Sequence, residues 1–243
     1  MTYKELKMVK KQTLNPNYRL DNFVVDKTNI SAYIAIQDFL KAERVNYSLI
    51  LHGKPAVGKT HLVHALGNSF QELGYSVLYV SCEEFMNDFG YNLRNHTSDR
   101  FREKYRTNDL LILDDIEYMN DKEQTQKELF YTIKALKNLN KKVIFVCNGS
   151  LKKEIDFYEK LTSRTVLLKV KLKIQKPKTK LKIVKQKMKS MRLMLDKKTL
   201  MFIAKNSKNS YIIEGMLTTL VVYNAMYKNK ITYKKARKLL AKL

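Results

Sequence analysis

Residues 53–60 read Gly53-Lys54-Pro55-Ala56-Val57-Gly58-Lys59-Thr60, the complete G-x-x-x-x-G-K-[ST] phosphate loop. Before it, Tyr47-Ser48-Leu49-Ile50-Leu51 is apolar and strand-like; after it, His61 to Phe70 carries apolar residues at helical spacing. Strand, glycine loop and helix N-terminus are the setting in which this motif cradles phosphates. The glycines let backbone N–H groups close around phosphate oxygens, and the helix adds the positive end of its dipole. In that reading Lys59 reaches the β and γ phosphates and Thr60 holds Mg²⁺. The bland alternative, a glycine turn joining strand to helix, is opposed by a second motif downstream. Asp109-Leu110-Leu111-Ile112-Leu113-Asp114-Asp115 is an apolar strand ending in two carboxylates. Beside a phosphate loop, such a strand sets Asp114 near the metal and lets Asp115 orient the attacking water.

A chain of 243 residues with 44% hydrophobic residues and 10% aromatic ones can bury a sizeable core. It has no apolar run of membrane-spanning length and no apolar signal segment at Met1–Lys7, so the expected location is the cytoplasm, at the nucleoid. Cys82 and Cys147 are isolated and read as buried free thiols. His61 and His64 share a helix, but no third ligand stands near, so a metal site is not expected there.

The formal charge of +24 is unevenly placed. Residues 160–243 hold 24 Lys plus Arg against two acids, Asp196 and Glu214, whereas residues 1–159 hold 23 basic and 21 acidic residues. That asymmetry suggests a polyanionic partner; the competing account is lysine drift in an AT-rich genome. Residues 169–192 carry eleven basic side chains and no acid. In Lys169-Val170-Lys171-Leu172-Lys173-Ile174 the lysines alternate with apolar residues, as on a half-buried strand. Lysines can also simply guard an edge strand. As a phosphate-tracking stripe they would bind nucleic acid without reading sequence, and Lys176, Lys178, Lys180 and Lys182 are the candidate contacts.

Strands are expected at 47–52, 76–82, 110–114, 142–147 and 165–174. Helices are expected at 30–44, 59–73, 83–93, 97–106, 123–139 and 151–161. Alternation of this kind predicts an α/β fold, a five-stranded parallel sheet with helices on both faces. Beyond Pro177 the pattern turns all-helical, roughly 178–191, 196–207, 211–227 and 232–242. The organisation expected is a basic tail at 1–14, an α/β nucleotide-binding domain at 15–175 and a small, strongly basic helical lid at 176–243.

These motifs, together with Asn15-Pro16-Asn17-Tyr18-Arg19-Leu20-Asp21-Asn22-Phe23-Val24-Val25, Phe101-Arg102-Glu103-Lys104-Tyr105-Arg106, Asp114-Asp115-Ile116 and Lys122-Glu123-Gln124-Thr125-Gln126, resemble the AAA+ P-loop NTPase domain of the bacterial replication initiator family DnaA. The resemblance runs from about Asn15 to Leu243. It implies ATP or ADP with Mg²⁺, held by Gly53, Lys54, Pro55, Ala56, Val57, Gly58, Lys59, Thr60 and His61, with Val24 and Val25 against the base. It places Asn148 at the position that faces the γ-phosphate, and Arg164 at that of the finger reaching a neighbour's nucleotide. Asp115, Asn148 and Arg164 form the implied catalytic set, and Thr60 and Asp114 the metal set. The helical pair over 83–106 looks like the family's insertion, and Lys122 and Thr125 match positions that touch single-stranded DNA.

The departures matter as much. Tyr211 in Tyr211-Ile212-Ile213-Glu214-Gly215 stands where the family has a phosphate-sensing arginine, and a phenol supplies no cation. Lys160 replaces an arginine, Gly90 an apolar insertion residue, and Lys176-Pro177-Lys178-Thr179-Lys180 an acidic stretch. The family's helix-turn-helix domain does not follow Leu243, which reads as a stand-alone paralogue in preference to a piece of a longer protein. The function expected is a DnaA-like ATP-binding protein acting in initiation or regulation of chromosomal replication, with ATPase activity weak or dependent on self-assembly. Its expected partners are single- or double-stranded DNA without sequence preference, a second copy or a full-length DnaA-type initiator, and a replicative helicase. Two alternatives stay open: a regulatory paralogue that stimulates hydrolysis by a full-length initiator or loads helicase, and a polycationic DNA-binding remnant without nucleotide control.

Overall fold

The computed structural model describes residues 13–42, 47–119, 122–149, 166–227 and 231–241. Five strands, β1 (Tyr47–Gly53), β2 (Val77–Ser81), β3 (Leu110–Asp114), β4 (Lys142–Asn148) and β5 (Val166–Lys171), form one parallel sheet in the order β2-β3-β4-β1-β5. Among the described residues nine α-helices accompany it. Five belong to the α/β part: α1 (Ile30–Lys41), α2 (Lys59–Glu72), α3 (Cys82–Arg94), α4 (Ser98–Arg106) and α5 (Glu123–Asn138). Four follow the sheet: α6 (Pro177–Ser190), α7 (Lys197–Asn206), α8 (Ser210–Tyr227) and α9 (Tyr233–Leu240). The expected helix over 151–161 lies outside the described residues.

Strands β3 and β4 are near-continuous apolar runs because both faces of the sheet are covered, as all-parallel sheets require. On one face Leu111, Leu113, Val143 and Phe145 pack with Phe85 of α3, Phe101 and Tyr105 of α4, and Leu129, Ile133 and Leu136 of α5. The alternate residues Leu49, Leu51, Ile112, Ile144 and Val146 are equally buried on the other face, where α2 supplies Leu62, Val63 and Leu66. The expected strand over 165–174 is shorter, ending at Lys171. The expected alternation holds from Lys169 to Lys173, with Val170 and Leu172 buried and the three lysines exposed.

The chain divides into two compact units. The first takes the described residues of Met1–Phe23, Ser31–Pro55 and Lys59–Leu172; the second takes the described residues of Val24–Ile30, Ala56–Gly58 and Lys173–Leu243. The second unit has its own core, in which Val184, Leu200, Ile203, Ile213, Leu217, Leu220 and Leu240 converge from α6 to α9. Asp196 caps α7 by accepting from the Thr199 N–H at 2.7 Å, and Pro177 opens α6 where its missing N–H costs nothing.

Candidate functional site

Parallel strands deliver their C-terminal ends to one edge of the sheet, and the chemistry gathers there. The register of β1 on β4 pairs Gly53 with Asn148, and the Gly149 N–H donates to the Gly53 carbonyl at 3.0 Å. The register of β2 on β3 pairs Ser81 with Asp114. The loop between β1 and α2 turns through positive φ at Gly53 (152°), Ala56 (59°) and Gly58 (106°). Only glycine takes the values at 53 and 58 without strain, which is the physical content of the motif's two invariant positions.

Lys59 opens α2 and is 4% exposed. Its ammonium donates to the carbonyls of Gly53 and Lys54, both at 2.9 Å. Burial depresses its pKa, while the charges of Asp114, Glu117, Cys147 and Asp115 oppose that. Asp114, also 4% exposed, accepts from the Tyr79 hydroxyl at 2.8 Å and from the Asp115 N–H at 2.8 Å. Burial raises its pKa against those hydrogen bonds. Asp115 sits in the left-handed region at φ 56°, a conformation aspartate tolerates. Its carboxylate accepts from the Asn148 side-chain amide at 2.6 Å, and its pKa rises to about 6, first through burial and then through repulsion from Asp114 and Glu117. Glu117 accepts from the Asn148 backbone N–H at 3.1 Å, so the asparagine is held at both its main chain and its side chain.

One ammonium therefore faces the charges of three carboxylates, an excess that suits a hard divalent cation. Among the described residues no three His, Cys, Asp or Glu side chains converge as a protein-only metal cage.

The structure thus brings together Gly53, Lys59, Asp114, Asp115 and Asn148. Thr60 follows Lys59 in the first turn of α2, half-buried, and His61 after it stacks on Tyr18 with ring centroids 4.6 Å apart. Lys54 and Pro55 are exposed. Lys122 is exposed at the N-cap of α5, and Thr125 is half-buried in its first turn. Arg164 and Lys160 lie outside the described residues. Tyr79 and Glu117 escape sequence reasoning: a strand tyrosine has no signal without the register, although the third acid of Asp114-Asp115-Ile116-Glu117 was visible.

The second unit has contacts of its own. There the Val57 carbonyl accepts from the Gln175 side-chain amide and the Ala56 carbonyl from the Ser210 hydroxyl, both at 2.9 Å. Val24 and Val25 are half-buried in a turn pinned by the Asn29 amide, which donates to the Val24 carbonyl at 2.9 Å. Tyr211 lies in the first turn of α8 and is 62% exposed. Of the expected DNA contacts, Lys176, Lys178 and Lys182 are exposed, but Lys180 donates to the Ser207 carbonyl at 2.6 Å and serves the end of α7.

A parallel sheet ordered β2-β3-β4-β1-β5, a phosphate loop after β1, a carboxylate pair after β3 and a polar side chain after β4 define a P-loop nucleotide-binding module of the AAA+ kind. Residues 14–175 match the family described as the bacterial DnaA ATPase domain. The chromosomal replication initiator DnaA of Wolinella succinogenes is 36% identical over 235 residues, which is 95% of this chain and 54% of that protein. Domain III of Thermotoga maritima DnaA superposes with a TM-score of 0.86 at 30% identity, covering 95% of this chain and 98% of that one. A DnaA bound to AMPPCP and single-stranded DNA superposes with a TM-score of 0.74 at 31% identity, covering 89% of this chain and 67% of that one. The chain belongs to the bacterial DnaA family. It spans about half the length of the curated relatives it matches.

Proposed function

We propose that this chain binds ATP or ADP with Mg²⁺ at Gly53–Thr60 and acts as a nucleotide-dependent module in the initiation or regulation of chromosomal replication, in contact with DNA. The observation that carries this reading is the convergence of buried Lys59 with Asp114, Asp115 and Asn148 at one strand edge, beside a loop whose backbone already has the phosphate-cradling turn. Support for the ligand class comes from the solved relative that holds AMPPCP and single-stranded DNA.

The residues divide the work by their surroundings. Thr60 and Asp114 would hold Mg²⁺, which would neutralise phosphate charge. Lys59 exchanges its loop carbonyls for phosphate oxygens. Asp115, ionised above about pH 6, orients a water, and Asn148 fixes the orientation of that carboxylate. Val24 and Val25 offer apolar surface to the base, and Arg164 acts on a neighbour's nucleotide. Lys122 and Thr125 are the contacts to single-stranded DNA. A second reading, a regulator or DNA-binding remnant with little hydrolysis of its own, is favoured by one observation, the exposed Tyr211 at the position of a sensing cation. Both readings place the protein in the cytoplasm at the nucleoid, with a second copy, a DnaA-type initiator or a replicative helicase as partner.

A fluorescent ATP analogue titrated onto parent and Lys59→Ala protein tests the assignment. Binding is expected to fall by a hundredfold or more, roughly the loss of a desolvated charge-assisted contact of ~3 kcal/mol. Unchanged affinity in the variant would remove the site.

A further inference from the structure

The lysines of the second unit fall into two structural kinds, and only one is available to a ligand. Lys180 caps α7 through the Ser207 carbonyl, and Lys187 pairs with Glu214 at 2.8 Å. Lys178, Lys182, Lys185 and Lys189 are instead all exposed on α6, at intervals of four, three and four residues. At 3.6 residues per turn that spacing puts them in one straight file on one helix face. Among the described residues none of the four meets a carboxylate.

We propose that this file on α6 is a phosphate-tracking surface that follows one strand of nucleic acid. The inference deepens the DNA contact of the proposed function and rests on it. Its length fits: eleven residues at 1.5 Å rise span about 16 Å, or roughly five phosphates at 3.4 Å along a duplex strand. The file also costs α6 stability. Three like-charged pairs at i,i+3 or i,i+4 repel, the first turn holds no acid, and Lys178 sits near the positive end of the helix dipole. A merely solvated face would carry acids among its lysines, as α5 does with Glu123 beside Lys127 and Lys134. Genome bias acts on every codon, yet residues 1–159 keep 23 basic against 21 acidic residues, so bias alone does not load α6. Membrane-surface binding fits less well, because the apolar side of α6, with Leu181, Val184 and Met188, is committed to the helical core.

The test compares two charge-matched variants of the full chain. One changes Lys178, Lys182, Lys185 and Lys189 to Gln; the other changes the exposed Lys197, Lys198, Lys205 and Lys208 of the same unit to Gln. Binding to a single-stranded oligonucleotide and to a duplex of equal length is followed across a salt series. Loss of four phosphate contacts should flatten the slope of log K against log salt by ~3.6 on duplex and ~2.8 on single strand. The control should change it by less than about one, as expected for non-contacting charges. The strand type showing its full decrement identifies the ligand form. Equal loss in both variants would mean diffuse attraction and overturn the file, as would a file variant that binds like the parent. A decrement seen only with anionic lipid vesicles would overturn it in favour of a membrane. A parent that binds neither DNA form would overturn the file and the DNA contact together, with nucleotide affinity and far-UV circular dichroism reporting that the variants remain folded.

Discussion

At His64 burial and a backbone hydrogen bond set the proton against the folded state. The imidazole Nδ1 accepts from the Asn15 N–H at 2.8 Å, and the ring packs on Tyr79 with centroids 4.2 Å apart. Burial lowers its pKa from 6.5 to about 4. The unfolded chain therefore takes up a proton near pH 6.5 that the folded chain refuses until about pH 4. The stabilising contribution is complete above pH 6.5 and shrinks as pH falls through that window. Between about pH 7.5 and about pH 5 this amounts to about 2 kcal/mol. Urea unfolding of parent and His64→Gln at both pH values measures it: the parent should lose that much more stability on acidification than the variant, and equal losses would discard the idea. The sequence shows His61 and His64 on one helix. It could not show that one ring would accept from a backbone forty-nine residues away, because nothing local marks such a bond.

Helix α2 shows how an element can be legible in outline while its packing is not. Its apolar spacing and the lysine at its start predict a helix over 59–73, and the structure gives Lys59–Glu72. Gly67 looks like a defect in that helix, since glycine costs about 1 kcal/mol against alanine in a helix interior. The structure gives the reason: a Cβ there would stand 2.8 Å from both terminal carbons of Leu14. The N-terminal run is then tied down by the Asn68 side-chain amide, which donates to the carbonyls of Asn15 and Tyr18 at 2.8 Å each. The expected outcome is coupling between the two sites. Gly67→Ala alone should gain nothing or lose about 1 kcal/mol, because displacing Leu14 offsets the helix propensity. In a Leu14→Ala background the same change should stabilise by about 0.5–1 kcal/mol. A double-mutant cycle by chemical denaturation checks this, and strict additivity would show that Leu14 and Gly67 do not share the space.

At the scale of the molecule, sequence patterning locates the five strands of the described residues because buried parallel strands are apolar runs flanked by helical periodicity, the strongest signal a sequence carries. Candidate site residues on contiguous motifs, such as Lys59 and Asp114, are read from the motif alone, whereas Tyr79 reaches Asp114 only through the β2–β3 register, which no local pattern encodes. Charge was legible in amount but not in use. The sequence grouped Lys176, Lys178, Lys180 and Lys182, while the fold assigns Lys180 to capping α7 and leaves the others to solvent. That distribution has a consequence for stability. Residues 160–243 carry 24 Lys plus Arg against two acids, so like-charge repulsion acts on α6 and α7 and hardly on the balanced strands β3 and β4. Salt shortens the reach of that repulsion, from about 30 Å at 0.01 M to under 10 Å above about 0.15 M. Native-state hydrogen exchange should then report two behaviours in one protein. Raising salt from about 0.01 M to about 0.3 M should slow exchange of α6 and α7 amides by roughly fivefold, equivalent to ~1 kcal/mol of relieved repulsion. Amides of β3 and β4 should change by less than about twofold, since their surroundings have little net charge to screen. A uniform slowing of both sets would point to a general salting effect on apolar burial, and the repulsion argument would fail.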